Sequence, residues 1–156
     1  MDEKKLLKYA VDYLSKYDSS KVNLVNVLKR KILRLKTTNY EKGKLINIIE
    51  SIIIKLEKNK FIDDNRYSST KILSLSNSGK SKNFIFNYLI KKGVNKTQIQ
   101  NNLNLMQQDN DNWELNSAKI FAKKKKLLEK NESYEKKLAK MARAGFSYDI
   151  CKKILG

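Results

Sequence analysis

Apolar residues recur every three or four positions along most of the chain, a spacing typical of helices that bury one face. It predicts a first helix over residues 3–17 and a second over 21–35. Thr38 and Glu41 have the spacing of a capping box and open a third helix, whose apolar face continues through residues 45–56. A buried strand is the alternative for this isoleucine-rich stretch, but the stretch lacks two-residue alternation. We therefore predict three helices that pack together.

A second unit begins at residues 61–67. Asp63 is predicted to cap its first helix, with Ile62 and Tyr67 at the positions of a hydrophobic staple. Two neighbouring carboxylates on one turn make a poor metal cage. We therefore interpret Asp63 and Asp64 as capping residues and not as metal ligands.

The end of the following helix has a counterpart later in the chain. A helix predicted over residues 80–92 ends at Gly93, a residue suited to the left-handed backbone that follows many helices. Gly93, Val94 and Asn95 are matched in type and order by Gly145, Phe146 and Ser147. We predict an extended all-α fold of three tandem three-helix, helix-turn-helix-like repeats. The predicted repeats cover residues 1–60, 61–109 and 110–156.

Composition supports the helical prediction and excludes several kinds of chemistry. Proline is absent and glycine occurs only five times, so the main helix breakers are rare. Histidine is absent and Cys151 is the only cysteine, so the usual zinc sites, disulfides and Cys-His or Ser-His-Asp sets cannot form. Much of enzyme chemistry is thereby excluded, and neither a metal nor a cofactor is expected.

The charge of the chain indicates the kind of partner. Lysine and arginine number 34 against 16 aspartates and glutamates, which gives a net charge of +18. Such an excess must be compensated by a polyanion or by counterions. Nucleic acid, or an acidic protein surface beside it, is therefore the predicted partner.

The same pattern gives an expectation for location. The N-terminal residues enter an amphipathic helix directly, without the apolar run of a secretory signal. The most apolar stretch, residues 45–54, is far shorter than the roughly 20 residues of a membrane span. A lone thiol fits a reducing compartment. We expect a cytoplasmic protein without a membrane partner.

Two groups of basic residues are candidate contacts to DNA or to a protein partner. The first group stands near the ends of the second helix of each repeat and would form a stripe in a repeat array: Arg30, Arg34, Lys91, Lys92 and Arg143. Compensation of helix dipoles explains the same placement equally well. The second group has helical spacing beside a run of four lysines: Lys119, Lys123 and Lys126, joined by Lys130. A solvated helix face is the ordinary interpretation of such a group.

Residues 74–81, which end in Gly79, Lys80 and Ser81, partly match the sequence pattern of a phosphate-binding loop. A true loop of this class needs glycine where Ser74 stands and a buried strand before it. Neither is evident, so a capped turn between helices is the preferred interpretation. A nucleotide-hydrolysing enzyme dependent on Lys80 is kept as the less favoured alternative.

Three segments together resemble the RecX family of bacterial regulatory proteins: residues 61–68, 91–94 and 144–149. The resemblance covers residues 60–155 well and the first 58 residues only in helix order. It implies three tandem three-helix repeats in a curved, elongated body. It also implies a modulator, usually an inhibitor, of RecA recombinase filaments on DNA, with no catalytic residues.

This chain departs from the family pattern in two places of the middle repeat. Residues 81–84 stand where relatives usually have a Gly-Pro pair followed by basic residues. Tyr88 stands where a glutamate is common. These differences affect individual contacts and not the predicted fold.

We therefore predict a monomeric, non-enzymatic regulator that binds RecA and RecA filaments on DNA and inhibits recombinase activity in DNA repair. Direct binding to DNA is left open. A helix-turn-helix DNA-binding regulator is the first alternative, because short-turned three-helix units are the common form of that motif.

Overall fold

All 156 residues are described by the structure, a computed structural model, and they form ten α-helices and no β-strand. The all-α prediction is thus confirmed. The helices are α1 (Glu3–Lys16), α2 (Lys21–Leu33), α3 (Asn39–Asn47), α4 (Ile49–Lys58), α5 (Asp64–Asn77), α6 (Lys82–Lys91), α7 (Lys96–Asp109), α8 (Trp113–Lys124), α9 (Tyr134–Arg143) and α10 (Tyr148–Leu155).

The chain divides into two compact units. The first comprises residues 1–67 and 92–94, and the second comprises residues 68–91 and 95–156. The predicted boundaries of three repeats remain a prediction. No helix combines the length and the apolar character that crossing a membrane would require.

Leucine and isoleucine side chains build the core of the first unit. Helix α2 packs against α1, α3 and α4, and the apolar faces of these four helices meet in one buried cluster. Fully burying a leucine or isoleucine stabilises a fold by about 1.5–3 kcal/mol relative to leaving it in water. The cluster contains Leu6, Ala10, Leu24, Leu28, Ile32, Leu45, Ile49, Ile52, Ile53, Leu56 and Ile62.

The third predicted helix is divided in two, which corrects the sequence prediction of a single element. Helix α3 ends at Asn47 and α4 begins at Ile49. Between them, the Ile48 N–H donates to the Leu45 carbonyl three residues earlier, at 3.2 Å. A hydrogen bond that spans three residues instead of four tightens the helix locally, as is common where helices end. Both halves still place their apolar residues in the core.

The predicted helix starts are confirmed by their hydrogen bonds. Thr38 Oγ1 accepts from the Glu41 N–H at 3.2 Å at the start of α3. Asp63 Oδ1 accepts from the N–H groups of Asn65 and Arg66 at 2.9 and 3.1 Å at the start of α5. These bonds satisfy backbone donors that have no partner within the helix.

A buried serine at a helix start makes the same tertiary hydrogen bond in both units. Ser20 Oγ donates to the Lys92 carbonyl at 2.5 Å, and Ser81 Oγ donates to the Ala144 carbonyl at 2.7 Å. Each serine also caps its own helix, α2 or α6, by accepting a backbone N–H three residues later. Each carbonyl belongs to the residue directly before a glycine. We call this arrangement the serine joint.

Glycine is required at both serine joints. Gly93 has φ +81° and Gly145 has φ +96°, a backbone region that other residues rarely adopt. A Cβ on Gly93 would lie 2.4 Å from Val22 Cβ, and a Cβ on Gly145 would lie 2.5 Å from Ser81 Oγ. Both turns therefore exclude any larger residue on conformational and on steric grounds.

An acidic residue from another helix completes each joint. The Lys21 N–H donates to Asp64 Oδ1 at 2.8 Å, and the Lys82 N–H donates to Glu114 Oε2 at 2.9 Å. The first N–H groups of α2 and α6 are thus capped by residues in the first turns of α5 and α8. Asp63 and Asp64 are both capping residues, as predicted, but Asp64 caps a different helix from its own.

Two glycine substitutions are predicted to change stability in opposite directions. Gly145→Ala should destabilise the fold by about 1–3 kcal/mol, because alanine is strained at this φ and its Cβ meets Ser81. Gly43→Ala should stabilise it by about 0.5–1 kcal/mol, because Gly43 lies within α3 with nothing within 4 Å of an added Cβ. Urea unfolding measures both changes. A stabilised Gly145→Ala variant would contradict the proposed role of the turn.

Asp64 and Glu3 are predicted to respond to pH with opposite signs. Burial raises the pKa of the Asp64 carboxyl, so folding favours its protonated form, and the associated stability is lost as pH rises through the folded pKa. The hydrogen-bonded ion pair with Lys55 lowers the pKa of Glu3, so its stabilisation is lost as pH falls. As pH rises from about 3 to about 7, the unfolding free energy of Asp64→Asn should therefore increase relative to that of the unmodified chain. The unfolding free energy of Glu3→Gln should decrease relative to that of the unmodified chain over the same range. Urea midpoints at both pH values measure this, and shifts of the same sign would contradict it.

Candidate functional site

The predicted basic residues of the first unit are accessible, with one exception. Arg30 lies in the last turn of α2 and Arg34 is its C-terminal cap, and both side chains are exposed. Lys92 is half-buried, and its carbonyl receives the Ser20 hydroxyl at the serine joint. Arg30 and Arg34 thus form the open basic surface of this unit, while Lys92 has a structural role through its backbone.

In the second unit the structure brings Lys91 and Arg143 together. Both line one hollow of about 340 Å³, although they lie 52 positions apart, 143 minus 91, in the sequence. Two aromatic rings and two amide side chains line the same hollow, and no carboxylate does. The complete lining is Asn83, Phe84, Asn87, Tyr88, Lys91, Arg143, Ala144 and Gly145.

Packing of α6 forces the aromatic side chains of this hollow outward. Ile85 and Leu89 are fully buried on one side of the helix. Phe84 and Tyr88, each one position earlier, lie on another side, and 40% of Phe84 is exposed. Their ring centroids are 6.4 Å apart and the ring planes differ by 22°, so the rings are nearly parallel. The ammonium of Lys80 lies 4.7 Å from the centre of the Phe84 ring.

Two further hollows share Asn83 with the first. One of about 560 Å³ is lined by Lys82, Asn83, Phe86, Gln100, Asn101, Leu103 and Asn104. The other, of about 280 Å³, is lined by Lys82, Asn83, Glu114, Ala142, Gly145, Phe146 and Ser147. Its one carboxylate, Glu114, accepts the Lys82 N–H. We call these three hollows the α6 groove.

The predicted stripe on α8 is only partly formed. Lys119 and Lys123 are exposed one turn apart on α8, but the helix ends at Lys124. Lys126 has φ +57°, which allows the Leu127 N–H to donate to the Ala122 carbonyl at 2.8 Å and Leu127 to be buried. The expected helical spacing between Lys123 and Lys126 is therefore wrong. A contact role for these lysines remains a prediction.

The segment that imitates a phosphate-binding loop is the end of a helix. Residues 74–77 belong to α5, and no strand precedes them. Gly79 has φ +90°, and the Lys80 N–H returns to the Leu75 carbonyl at 3.0 Å. The Lys80 carbonyl accepts from Ser117 Oγ at 2.5 Å. The preferred interpretation as a turn between helices is thus confirmed, and the backbone does not form an open anion cradle.

Sequence reasoning missed the aromatic and amide residues of the groove. Phe84 and Tyr88 are spaced one turn apart, directly before the buried pair Ile85 and Leu89. That pattern would have identified an outward aromatic row on a helix whose apolar face was already assigned. Their proximity to Arg143 could not be inferred without the packing of α6 against the turn after α9.

Comparisons with known proteins assign this chain to a family. No family model matches the chain. The chain is 32% identical over 154 residues to the regulatory protein RecX of Myxococcus xanthus strain DK1622, an alignment that covers 94% of this chain and 81% of the relative. This basic, all-α chain therefore matches a protein of a regulatory class over nearly its whole length.

Solved structures agree with this assignment at the level of the fold. The crystal structure of RecX from Lactobacillus salivarius matches with a TM-score of 0.70 and 24% identity, over 97% of this chain and 93% of that one. A second crystal structure, of regulatory protein RecX, also has a TM-score of 0.70, with 22% identity over 96% of this chain and 70% of that one. The chain belongs to the RecX family of regulatory proteins.

Proposed function

We propose that this protein is a monomeric, non-enzymatic regulator that binds RecA recombinase and its filaments on DNA and inhibits their activity. The observation that carries this proposal is the 32% identity to a regulatory protein RecX along 94% of the chain. A regulator of this kind acts by occupying a surface and needs no reacting group of its own.

Positive charge supports a partner that contains nucleic acid. The net charge is +18, and Arg30, Arg34, Lys91 and Arg143 are all exposed. A filament on DNA presents phosphates beside protein, so it offers a polyanion to such a surface. Bound along the filament, the protein would hinder subunit rearrangement, ATP turnover or DNA pairing.

Several carboxylates have partners within the fold. Glu57 pairs with Lys21, Glu3 with Lys55 and Glu132 with Lys140. Asp63, Asp64 and Glu114 accept backbone N–H groups at helix starts. These contacts hold six of the 16 carboxylates in pairs and caps, while the net charge of the chain stays at +18.

Reversal of the proposed contact charges is predicted to abolish regulation of RecA. The unmodified protein should lower the DNA-dependent ATPase activity of RecA, and the variant with Glu at Arg30, Arg34, Lys91 and Arg143 should not. The control variant carries Glu at Lys4, Lys8, Lys16 and Lys58, four exposed lysines outside the three salt bridges. Both variants lose the same total charge, and exposed charges contribute little to stability.

The outcomes separate the explanations. Loss of regulation in the first variant alone supports the proposed surface, and equal loss in both variants would mean that only net charge matters. An unmodified protein without any effect on RecA activity would refute the proposed function. Sequence-dependent DNA binding in the absence of RecA would instead favour a helix-turn-helix regulator.

Binding to RecA filaments on DNA is predicted to weaken steeply as salt rises. Each phosphate contact adds about 0.7–0.9 to the slope of log affinity against log salt, because bound counterions are released. The four-charge variant should therefore show a shallower slope than the four-charge control. Fluorescence anisotropy across a salt series measures both slopes, and a salt-independent affinity would exclude phosphate contacts as the main source of binding.

A further inference from the structure

We propose that the α6 groove binds single-stranded nucleic acid, with an unpaired base stacked against the rings of Phe84 and Tyr88 and neighbouring phosphates held by Lys91 and Arg143. The proposal rests on the proposed function for its setting, a regulator that works beside DNA. It also specifies which residues would touch the strand and which part of the strand they would touch.

The aromatic rings supply the stacking surface. Phe84 and Tyr88 lie one turn apart on α6 with nearly parallel planes, and Phe84 is 40% exposed. Proteins that bind single strands commonly stack bases on aromatic side chains, because every base offers a flat face. The fully buried Ile85 and Leu89 anchor the other side of the helix, so the rings stand on a rigid support.

Positive charge lies beside these rings, and no carboxylate lines the hollow that they share. Lys91 and Arg143 line the same hollow as both rings. The ammonium of Lys80 lies 4.7 Å from the centre of the Phe84 ring. Phosphates that flank a stacked base would therefore meet cations on more than one side.

Amide groups supply hydrogen-bonding partners for base edges. Asn83 and Asn87 lie one turn apart on α6, next to the aromatic pair, and both line the hollow. Each amide offers donors and an acceptor, as the edges of unpaired bases require. Asn83 also lines the two other hollows, and in the larger of them Gln100, Asn101 and Asn104 extend the amide surface.

The combination of aromatic rings, cations and amide side chains favours an unpaired strand over other anions. Bases within a duplex are stacked on each other, so their faces cannot reach the rings. An acidic peptide would use the cations and leave the rings and the amide rows without a function. Two of the three hollows, of about 340 and 560 Å³, fall within the roughly 300–1,000 Å³ that small-ligand sites occupy, and the third is about 280 Å³.

The test compares oligonucleotides with and without bases. Fluorescein-labelled 15-nucleotide oligothymidine, the same backbone carrying abasic sites, a duplex of equal length and a poly-glutamate peptide are titrated with the full chain. No RecA is present. The unmodified protein should bind oligothymidine about tenfold more tightly than the abasic strand, because only the former has bases to stack.

Variants then locate the site. The double variant Phe84→Leu, Tyr88→Leu retains apolar bulk and should lose about tenfold in affinity for oligothymidine, with little change for the abasic strand. Tyr40→Leu is the matched control, because Tyr40 is a 70% exposed tyrosine with Lys44 at 4.6 Å from its ring centre, in the first unit. It should bind like the unmodified chain.

Three results would overturn the proposal. They are equal affinity of the unmodified protein for oligothymidine and the abasic strand, an unchanged affinity in the double variant, and tighter binding of the duplex or the poly-glutamate peptide than of oligothymidine. The first comparison uses only the unmodified chain, so misfolding of a variant cannot decide it. Because the assay contains no RecA, its failure would leave RecA regulation standing, and a failed ATPase test would leave this site standing.

Discussion

The fold depends on the serine joint, in which a helix-capping hydroxyl also binds a carbonyl directly before a glycine. Ser20 and Ser81 each use one oxygen for two purposes, so helix initiation and tertiary packing are fixed by the same atom. A buried carbonyl without a donor costs about 1–3 kcal/mol, which makes the arrangement hard to replace. Glycine must follow the carbonyl, because any Cβ would collide with the start of the capped helix.

Features that depend on local backbone chemistry could be predicted from the sequence. The caps at Thr38 and Asp63 and the glycine turns at 93 and 145 follow from hydrogen-bonding needs at helix ends, which nearby residues meet. The sequence also shows the resemblance to the RecX family, in residues 61–68, 91–94 and 144–149. The family relationship is confirmed over nearly the whole chain.

Features that depend on packing could not be predicted. The break at Ile48 interrupts an apolar pattern that continues unchanged on both sides, and the turn at Lys126 places a lysine where glycine is usual because Leu127 must reach the core. The candidate site shows the same limit. Lys91 and Arg143 were identified singly, but their shared hollow with Phe84 and Tyr88 exists only once α6 packs against the turn after α9. Spacing along one helix carries no information about that neighbour.

The capping of one helix by an acid from another, at Asp64 and Glu114, also shapes how the molecule meets a partner over a distance. A carboxylate held against backbone N–H groups has much of its field compensated locally. Within about one Debye length of the surface, about 8 Å in physiological salt, the uncompensated cations would dominate the potential that an approaching polyanion meets, and beyond that distance they are largely screened. The packing of this fold therefore favours attraction of a polyanion at short range, and this attraction extends further only when salt is lowered and the Debye length grows.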